Sequence, residues 1–372
     1  MTVGIPPLRL LMTTDAVGGV WQYSIALCSA LARRGHEIVL AAMGPAPDEW
    51  KRQQAQAIPG LRLVETGLAL DWLCDGPAPV ARAAQVIASL AEAEDVDILH
   101  CNMPTLAGAA SFPVPTVAVA HGCVSTWWEA AKAEPLAPAY HWHREMTREG
   151  LRAADDVVAP SAAYAATIQR HYALDAVPAA AHNGTPSQLR RKAPAVQDSV
   201  ITVGRMWDPV KGASLMDRVA AKLHVPFIAV GATRGPHGES VRLDHLHALG
   251  EIDGNRLAKL LSSRPIYVSA ASFEPFGLAV LEAAKAGCAL VLSDIPVFRE
   301  LWDGAALFVP REEAACREAI DRLIGDPALR LSLGEAAAQR AERYTPEALA
   351  AGMLAIYAPL LNRSDAGRRS AA

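Results

Sequence analysis

The sequence predicts an α/β protein made of two similar halves, each a parallel sheet wrapped by helices. Three features predict it. Apolar runs of strand length alternate with segments of helical spacing, the order that builds parallel sheets. That order restarts at Val200, after a polar, basic stretch (Ser187–Asp198) with no apolar periodicity. Finally, 372 residues, 51% hydrophobic and 20% charged, suffice for two domains of moderate size with large cores.

In the first half, Leu8–Thr13 reads as a buried strand, Asp15–Gly19 as a glycine turn, and Val20–Arg34 as a helix stopping at Gly35. Glu37–Ala42 is the next strand, giving a Rossmann-like opening. It lacks G-x-G-x-x-G, which argues against a nicotinamide cofactor. From Gly44 to Pro79 the signal weakens, with a short strand at Leu61–Thr66; a helix follows at Val80–Glu94. Strands come next at Asp95–Cys101 and from Pro115 to the His121-Gly122 pair. Pro138–Ala153 is a helix, Asp155–Ser161 a strand leading to a serine cap, and the helix beyond it ends near Tyr172. Ala179–Gly184 closes the half on an Asn-Gly turn.

The second half opens with strand Val200–Val203 and helix Ala213–Leu223. Strand Val225–Val230 leads to a glycine-rich loop, Gly231–Glu239, expected to be mobile. Strand His245–Gly250, helix Asp253–Ser262 and strand Arg264–Ser269 follow. Pro275 and Gly277 then break the backbone before an Ala/Leu-rich helix that stops at Gly287. Ala289–Asp294 and Ala305–Val309 are strands, with Ser293–Glu300 as the loop between them. Glu312–Gly325 and Asp326–Arg343 are surface helices. Thr345-Pro346-Glu347 starts a last helix to about Leu361, and the residues after it are expected to fray.

Two stretches carry chemistry. At Ala271–Gly287 a strand, turn and helix meet where open α/β sheets bind ligands. The backbone N–H groups of Phe276, Gly277 and Leu278 would face an anion there, framed by Glu274 and Glu282. Glu282 lies among Val280, Leu281, Ala283 and Ala284, where an idle charge would be costly. The plainer reading is an amphipathic helix with an exposed Glu282–Lys285 pair. At Gly204–Gly212, Arg205 and Lys211 share a loop between strand and helix, and two cations there suit a diphosphate. The plainer reading is a solvated basic loop.

Other candidates carry less. Gly18-Gly19 suits close approach of a ligand to backbone, or simply a tight turn. His121 ends a strand on the ligand side, or is hydrogen-bonded into a loop. Trp127 and Trp128 fit core packing better than sugar stacking. Asp95-x-Asp97 precedes a strand and more often caps a loop than holds a metal; His141 and His143 do not share a helical face.

Glu274-Pro-Phe-Gly-Leu…Leu281-Glu282-Ala resembles the E-x7-E signature of retaining glycosyltransferases of family 4. Gly204-Arg205…Lys211-Gly212 is similar to that family's donor-phosphate motif, and Asn183-Gly184 to the end of its first domain. The resemblance covers nearly the whole chain, more strongly in the second half. It implies the GT-B fold, two Rossmann-like domains whose parallel sheets face each other across a cleft. Residues 1–186 would be the acceptor-binding domain, 187–344 the donor-binding domain, 345–362 a helix crossing back to the first, and 363–372 a flexible tail.

The implied reaction moves a sugar from a UDP-, GDP- or ADP-sugar to an acceptor hydroxyl with retention. Glu274, His121, Arg205 and Lys211 would form the catalytic set. Gly18, Gly19, Glu251, Ile252, Phe276, Gly277, Leu278 and Glu282 would bind substrate. Neither cofactor nor metal is implied, since the two cations would neutralise the leaving diphosphate. Glu274 is not assigned as a nucleophile. The implied path is front-face, with a phosphate oxygen taking the acceptor proton. Other readings are a GT-B nucleotide-sugar epimerase, a phosphorylase, or a non-catalytic nucleotide-sugar binder.

A net charge of −4 without a long basic run argues against nucleic acid as partner. Six scattered cysteines without C-x2-C spacing suggest reduced thiols. With no secretory leader at Met1–Leu8 and no bilayer-length apolar run, the expectation is a cytoplasmic protein. Association with the inner membrane face, toward a sugar or lipid-linked acceptor, remains compatible with that. Polysaccharide or glycolipid assembly is the setting the resemblance implies.

Overall fold

The structure is a computed structural model and describes residues 6–186, 197–236 and 238–371. Most of the stretch read as the boundary, Ser187–Asp198, lies outside the described residues. The chain forms two compact units, Met1–Gly184 with Pro346–Ala372, and Thr185–Thr345.

The first unit is built on β1 (Arg9–Asp15), α1 (Gly19–Ala32), β2 (Glu37–Met43), α2 (Glu49–Gln56), β3 (Leu61–Glu65), α3 (Pro77–Ala93) and β4 (Ile98–Cys101). It continues with β5 (Thr116–Val119), α4 (Val124–Ala131), α5 (His141–Ala153), β6 (Asp156–Ala159), α6 (Ala162–Tyr172) and β7 (Ala179–Ala180). The strands pair in parallel in the order β3-β2-β1-β4-β5-β6-β7. Leu10, Leu11 and Met12 of β1 are fully buried, as a strand covered on both faces requires.

The second unit contains β8 (Val200–Val203), α7 (Ala213–Ala220), β9 (Phe227–Val230), β10 (His247–Ala248), α8 (Gly254–Ser262), β11 (Ile266–Ser269) and α9 (Leu278–Ala286). It closes with β12 (Leu290–Ser293), α10 (Pro296–Trp302), β13 (Leu307–Val309), α11 (Glu313–Gly325) and α12 (Pro327–Ala341). Its parallel order is β10-β9-β8-β11-β12-β13. In each sheet the strands run outward from a central first strand, then return to its other side. That reversal places a switch point between β1 and β4, and another between β8 and β11; ligands bind at the carboxyl ends of such strands.

The last helix, α13 (Pro346–Ala371), belongs to the first unit. Its Leu349, Ala350, Met353 and Tyr357 join the core that holds Trp21, Leu27 and Leu31 of α1.

Four sequence expectations are corrected. Ser293–Glu300 is not simply a loop. Pro296 takes the first position of α10, where a missing N–H is harmless, and Val297, Phe298, Leu301 and Trp302 bury one face. The strand expected at His245–Gly250 shrinks to two residues. The Gly231–Glu239 loop closes into a small hairpin, through an antiparallel bridge between Arg234 and Ser240 and a bond from the Gly235 N–H to the Glu239 carbonyl (2.8 Å). The last helix, expected to end near Leu361, runs on to Ala371, since Pro359 does not end it and no strong helix breaker follows Leu361 at once.

Candidate active site

In the second unit the switch point is assembled from two loops. Asp208, buried after β8, caps a single helical turn at Pro209–Lys211 by accepting from the Val210 N–H (3.3 Å). Its other oxygen accepts from Arg205 Nη2 at 2.8 Å, and the guanidinium lies 5.5 Å from the Trp207 ring centroid. Arg205 is thereby held on one side while over half its side chain stays exposed.

Gly212 follows at φ +72°, and a Cβ there would stand 2.6 Å from the Ala270 carbonyl oxygen. Only glycine lets the loop press so close to the end of β11. A bond from the Ser272 N–H to the Val210 carbonyl (2.8 Å) ties the two loops together. The result is a pair that sequence spacing could not show: Lys211 Nζ donates to Glu274 Oε2 at 2.6 Å, both side chains largely enclosed. An ammonium has three donors, so two remain for another acceptor.

Gly277, at φ +94°, starts α9 in a left-handed conformation and packs close to Glu274 Cγ, the side chain of Val280 and the Phe298 ring. Phe276 is buried edge-on against Tyr344 (5.7 Å), so its side chain anchors the turn and only its backbone can serve a ligand. The first-turn N–H groups of α9 have no carbonyl partners within the helix.

Glu282 sits between fully buried Leu281 and Ala283, and burial pushes its carboxyl up to about 7, against a smaller opposing effect of Lys285. The plainer reading, an exposed Glu282–Lys285 pair, does not fit, since neither residue is exposed. Lys285 is half-buried and donates to the Thr185 carbonyl. Tyr267 of β11 was missed in the sequence. Burial first, then the carboxylates of Glu274 and Glu282, raise its phenol.

Replacing Asp208 tests this arrangement. Asp208→Asn keeps a cap acceptor but loses the ion pair. The expected result is a several-fold rise in donor KM with a nearly unchanged melting temperature. Asp208→Ala should also lose about 1 kcal/mol in a denaturant titration.

In the first unit, the turn after β1 is organised by Asp15, whose Oδ1 accepts from the N–H groups of Val17 (2.8 Å) and Gly18 (3.2 Å). Gly18 has extended backbone and nothing within 4 Å of where a Cβ would point, so neither strain nor packing demands glycine there. His121, past β5, is half-buried, with Nε2 2.7 Å from Asn102 Oδ1 and its ring edge-on to Tyr23 at 4.4 Å. Burial, then the nearby His100, lowers its pKa to about 3, so it is neutral at physiological pH. His100 and Asn102 were also missed, although His100 lies at the carboxyl end of β4 and Asn102 directly follows it at the switch point.

The remaining candidates stand apart. Glu251 is exposed and Ile252 half-buried beyond β10, just before Asp253 caps α8. Trp128 donates to the carbonyls of Glu134 and Pro135 (both 3.1 Å) and meets the Tyr140 ring at 5.6 Å, so the chain itself holds it. Asp97 accepts from the Arg9 N–H at 2.8 Å, and His143 is buried 3.2 Å from Asp71; both have structural partners.

The sequence pattern described as Glycosyltransferase Family 4 matches residues 17–188, and that described as Glycosyl transferases group 1 matches residues 236–340. A phosphatidyl-myo-inositol mannosyltransferase of Mycolicibacterium smegmatis is 26% identical, over 92% of this chain and 90% of its own. An MMP alpha-(1->4)-mannosyltransferase of Mycolicibacterium hassiacum is 24% identical, over 93% and 96%. Among solved structures, a sucrose-phosphate synthase from Thermosynechococcus elongatus superposes with a TM-score of 0.81 at 19% identity, covering 96% of this chain and all of that one. HepE of Anabaena in complex with UDP-glucose gives 0.72 at 18%, covering 95% of this chain and all of that one. With two parallel-sheet units, both patterns matched and relatives aligned along nearly its whole length, the chain belongs to glycosyltransferase family 4 and is a glycosyltransferase of the GT-B fold.

Proposed function

We propose that the enzyme moves a sugar from a nucleoside-diphosphate-sugar to an acceptor hydroxyl with retention, without a metal. The observation that carries this reading is the Lys211–Glu274 pair at 2.6 Å, with Arg205 on the same loop and the start of α9 beside Glu274. Breaking the bond between sugar and diphosphate leaves negative charge on the phosphates and positive charge on the sugar. Arg205, the two remaining Lys211 donors and the first N–H groups of α9 stabilise the negative side, and such preorganised donors lower a barrier most. Glu274, anchored by Lys211, accepts from hydroxyls of the donor sugar. Glu282 accepts from the ribose hydroxyls. His121 hydrogen-bonds the sugar, and Gly18, beside open space, lets a substrate approach the backbone. The relatives' names put mannose first among donor sugars to try, and a lipid-linked or sugar hydroxyl first among acceptors. No helix among the described residues is long and apolar enough to cross a membrane. The location proposed is cytoplasmic, with a lipid-linked acceptor drawing the enzyme to the inner membrane face.

A thermal-shift screen of UDP-, GDP- and ADP-sugars tests the donor. A true donor at a hundredfold excess over its Kd adds about 2.7 kcal/mol, a shift of several degrees. Turnover should survive EDTA, and proton NMR of the product should show the donor's anomeric configuration. An inverted product, or EDTA inhibition reversed by manganese, would overturn this mechanism. An epimerised nucleotide-sugar without transfer would point to the epimerase reading.

A further inference from the structure

Beneath His121 lies a buried polar cluster that the mechanism above does not use. Asn102 is its centre. Its Nδ2 donates to the Thr13 carbonyl at 2.7 Å and lies 3.3 Å from Ser24 Oγ. A carbonyl can only accept, so the amide nitrogen faces Thr13 and Oδ1 faces the two histidines. His121 Nε2 stands 2.7 Å and His100 Nε2 3.0 Å from that oxygen, whose two lone pairs can serve both. Both rings must therefore carry their proton on Nε2. With the His100 proton on Nε2, its Nδ1, 2.5 Å from the Tyr357 hydroxyl of α13, is left to accept from that hydroxyl. The titratable groups around the pair are Tyr23 from α1, with Cys28 behind it, and Tyr357 from α13. Burial keeps these phenols and the thiol protonated, so no anion there draws a second proton onto either imidazole.

We propose that Asn102 is a positioning residue: its amide oxygen holds the Nε2–H of His121 and leaves Nδ1 as a lone pair, so this ring acts toward the donor sugar as a hydrogen-bond acceptor. The proposal rests on the reading of His121 as a sugar contact. It adds that His121 takes a hydrogen bond from a sugar hydroxyl and gives none to phosphate. The cluster also ties that ring, through His100 and Tyr357, to α13.

Nitrogen NMR of the full-length enzyme, labelled at histidine and assigned with His121→Ala, tests the tautomer without touching Asn102. His121 should show the Nε2–H form with no titration between about pH 5 and 8. An Nδ1–H signal, or a midpoint within that range, would overturn the proposal. Asn102→Asp then tests the consequence. A carboxylate between two imidazoles favours their charged forms. Turnover in this variant should therefore be depressed at acid pH and rise with pH as His121 sheds its second proton, while the wild type shows no such step. Asn102→Ala should lower kcat roughly tenfold to a hundredfold, with a smaller change in donor KM. If the Asn102→Asp profile superimposes on the wild type, the positioning role is refuted. Near-normal turnover in His121→Ala beside an Nε2–H wild-type ring would instead refute the sugar contact itself.

Discussion

Replacing Lys211 with methionine is expected to lower turnover by about a thousandfold, the upper range for removing one preorganised donor from a developing anion. The substitution has two consequences that can be separated. The ammonium is lost from the diphosphate, and Glu274 loses its partner at 2.6 Å. A largely enclosed carboxylate left without its cation costs about 1–3 kcal/mol, so the single variant should melt several degrees lower. The double variant Lys211→Met/Glu274→Gln removes the orphaned charge. It should recover most of the melting temperature and none of the turnover. Measuring kcat/KM and Tm for both singles and the double closes the cycle. Near-normal turnover in Lys211→Met would remove the phosphate role, and an unchanged melting temperature would mean the pair matters little to stability.

The second large effect concerns Glu282, whose two properties pull in opposite directions. Its carboxyl is raised from 4.5 to about 7 in the folded protein by burial. The folded state therefore binds more protons than the unfolded one between those values, and stability falls as pH rises through them. Because the residue is half-buried and not fully enclosed, the loss by pH 8 is about 1–3 kcal/mol. Glu282→Gln removes the titration, so the variant should be more stable than the wild type at pH 8 and nearly equal to it at about pH 4.5. Nucleotide binding should move the other way. Charge-assisted bonds to the ribose are worth about 1.5–3 kcal/mol, so calorimetry at pH 8 should show a Kd raised roughly tenfold to a hundredfold. The wild-type Kd should also rise from pH 8 to pH 6, and the variant's should not. A Kd unchanged by the substitution would remove the ribose assignment.

What the sequence made legible follows local rules. Gly212, Gly277 and Gly287 mark helix starts and stops through conformations that other residues resist, so the turns around α7 and α9 were readable. Arg205, Lys211 and Glu274 were readable as residues that suit phosphate and sugar. Their contacts were not, because the Lys211–Glu274 pair depends on how two loops distant in the chain are pressed together. Asp208 read as a loop residue, and only its burial reveals it as the hold on Arg205. His100 hid in β4, and Asn102 just past its end, for the same reason. A polar side chain in an apolar run shows its partners only when Thr13, Ser24 and Tyr357 arrive from elsewhere. Helix α10 was missed despite a visible signal: Ser293–Glu300 read as the loop between two strands, although Val297, Phe298, Leu301 and Trp302 carry helical spacing.

The membership of α13 in the first unit bears on how the protein is made. Leu349, Met353 and Tyr357 reach the ribosome exit long after the strands they cover. The middle of the chain, Thr185–Thr345, has all its own strands once it has emerged and can close on itself. The first unit's strands emerge earlier still, but the core around α1 lacks Leu349, Met353 and Tyr357 until α13 has been made. During vectorial synthesis the first unit's core is therefore completed only after the whole second unit has been made.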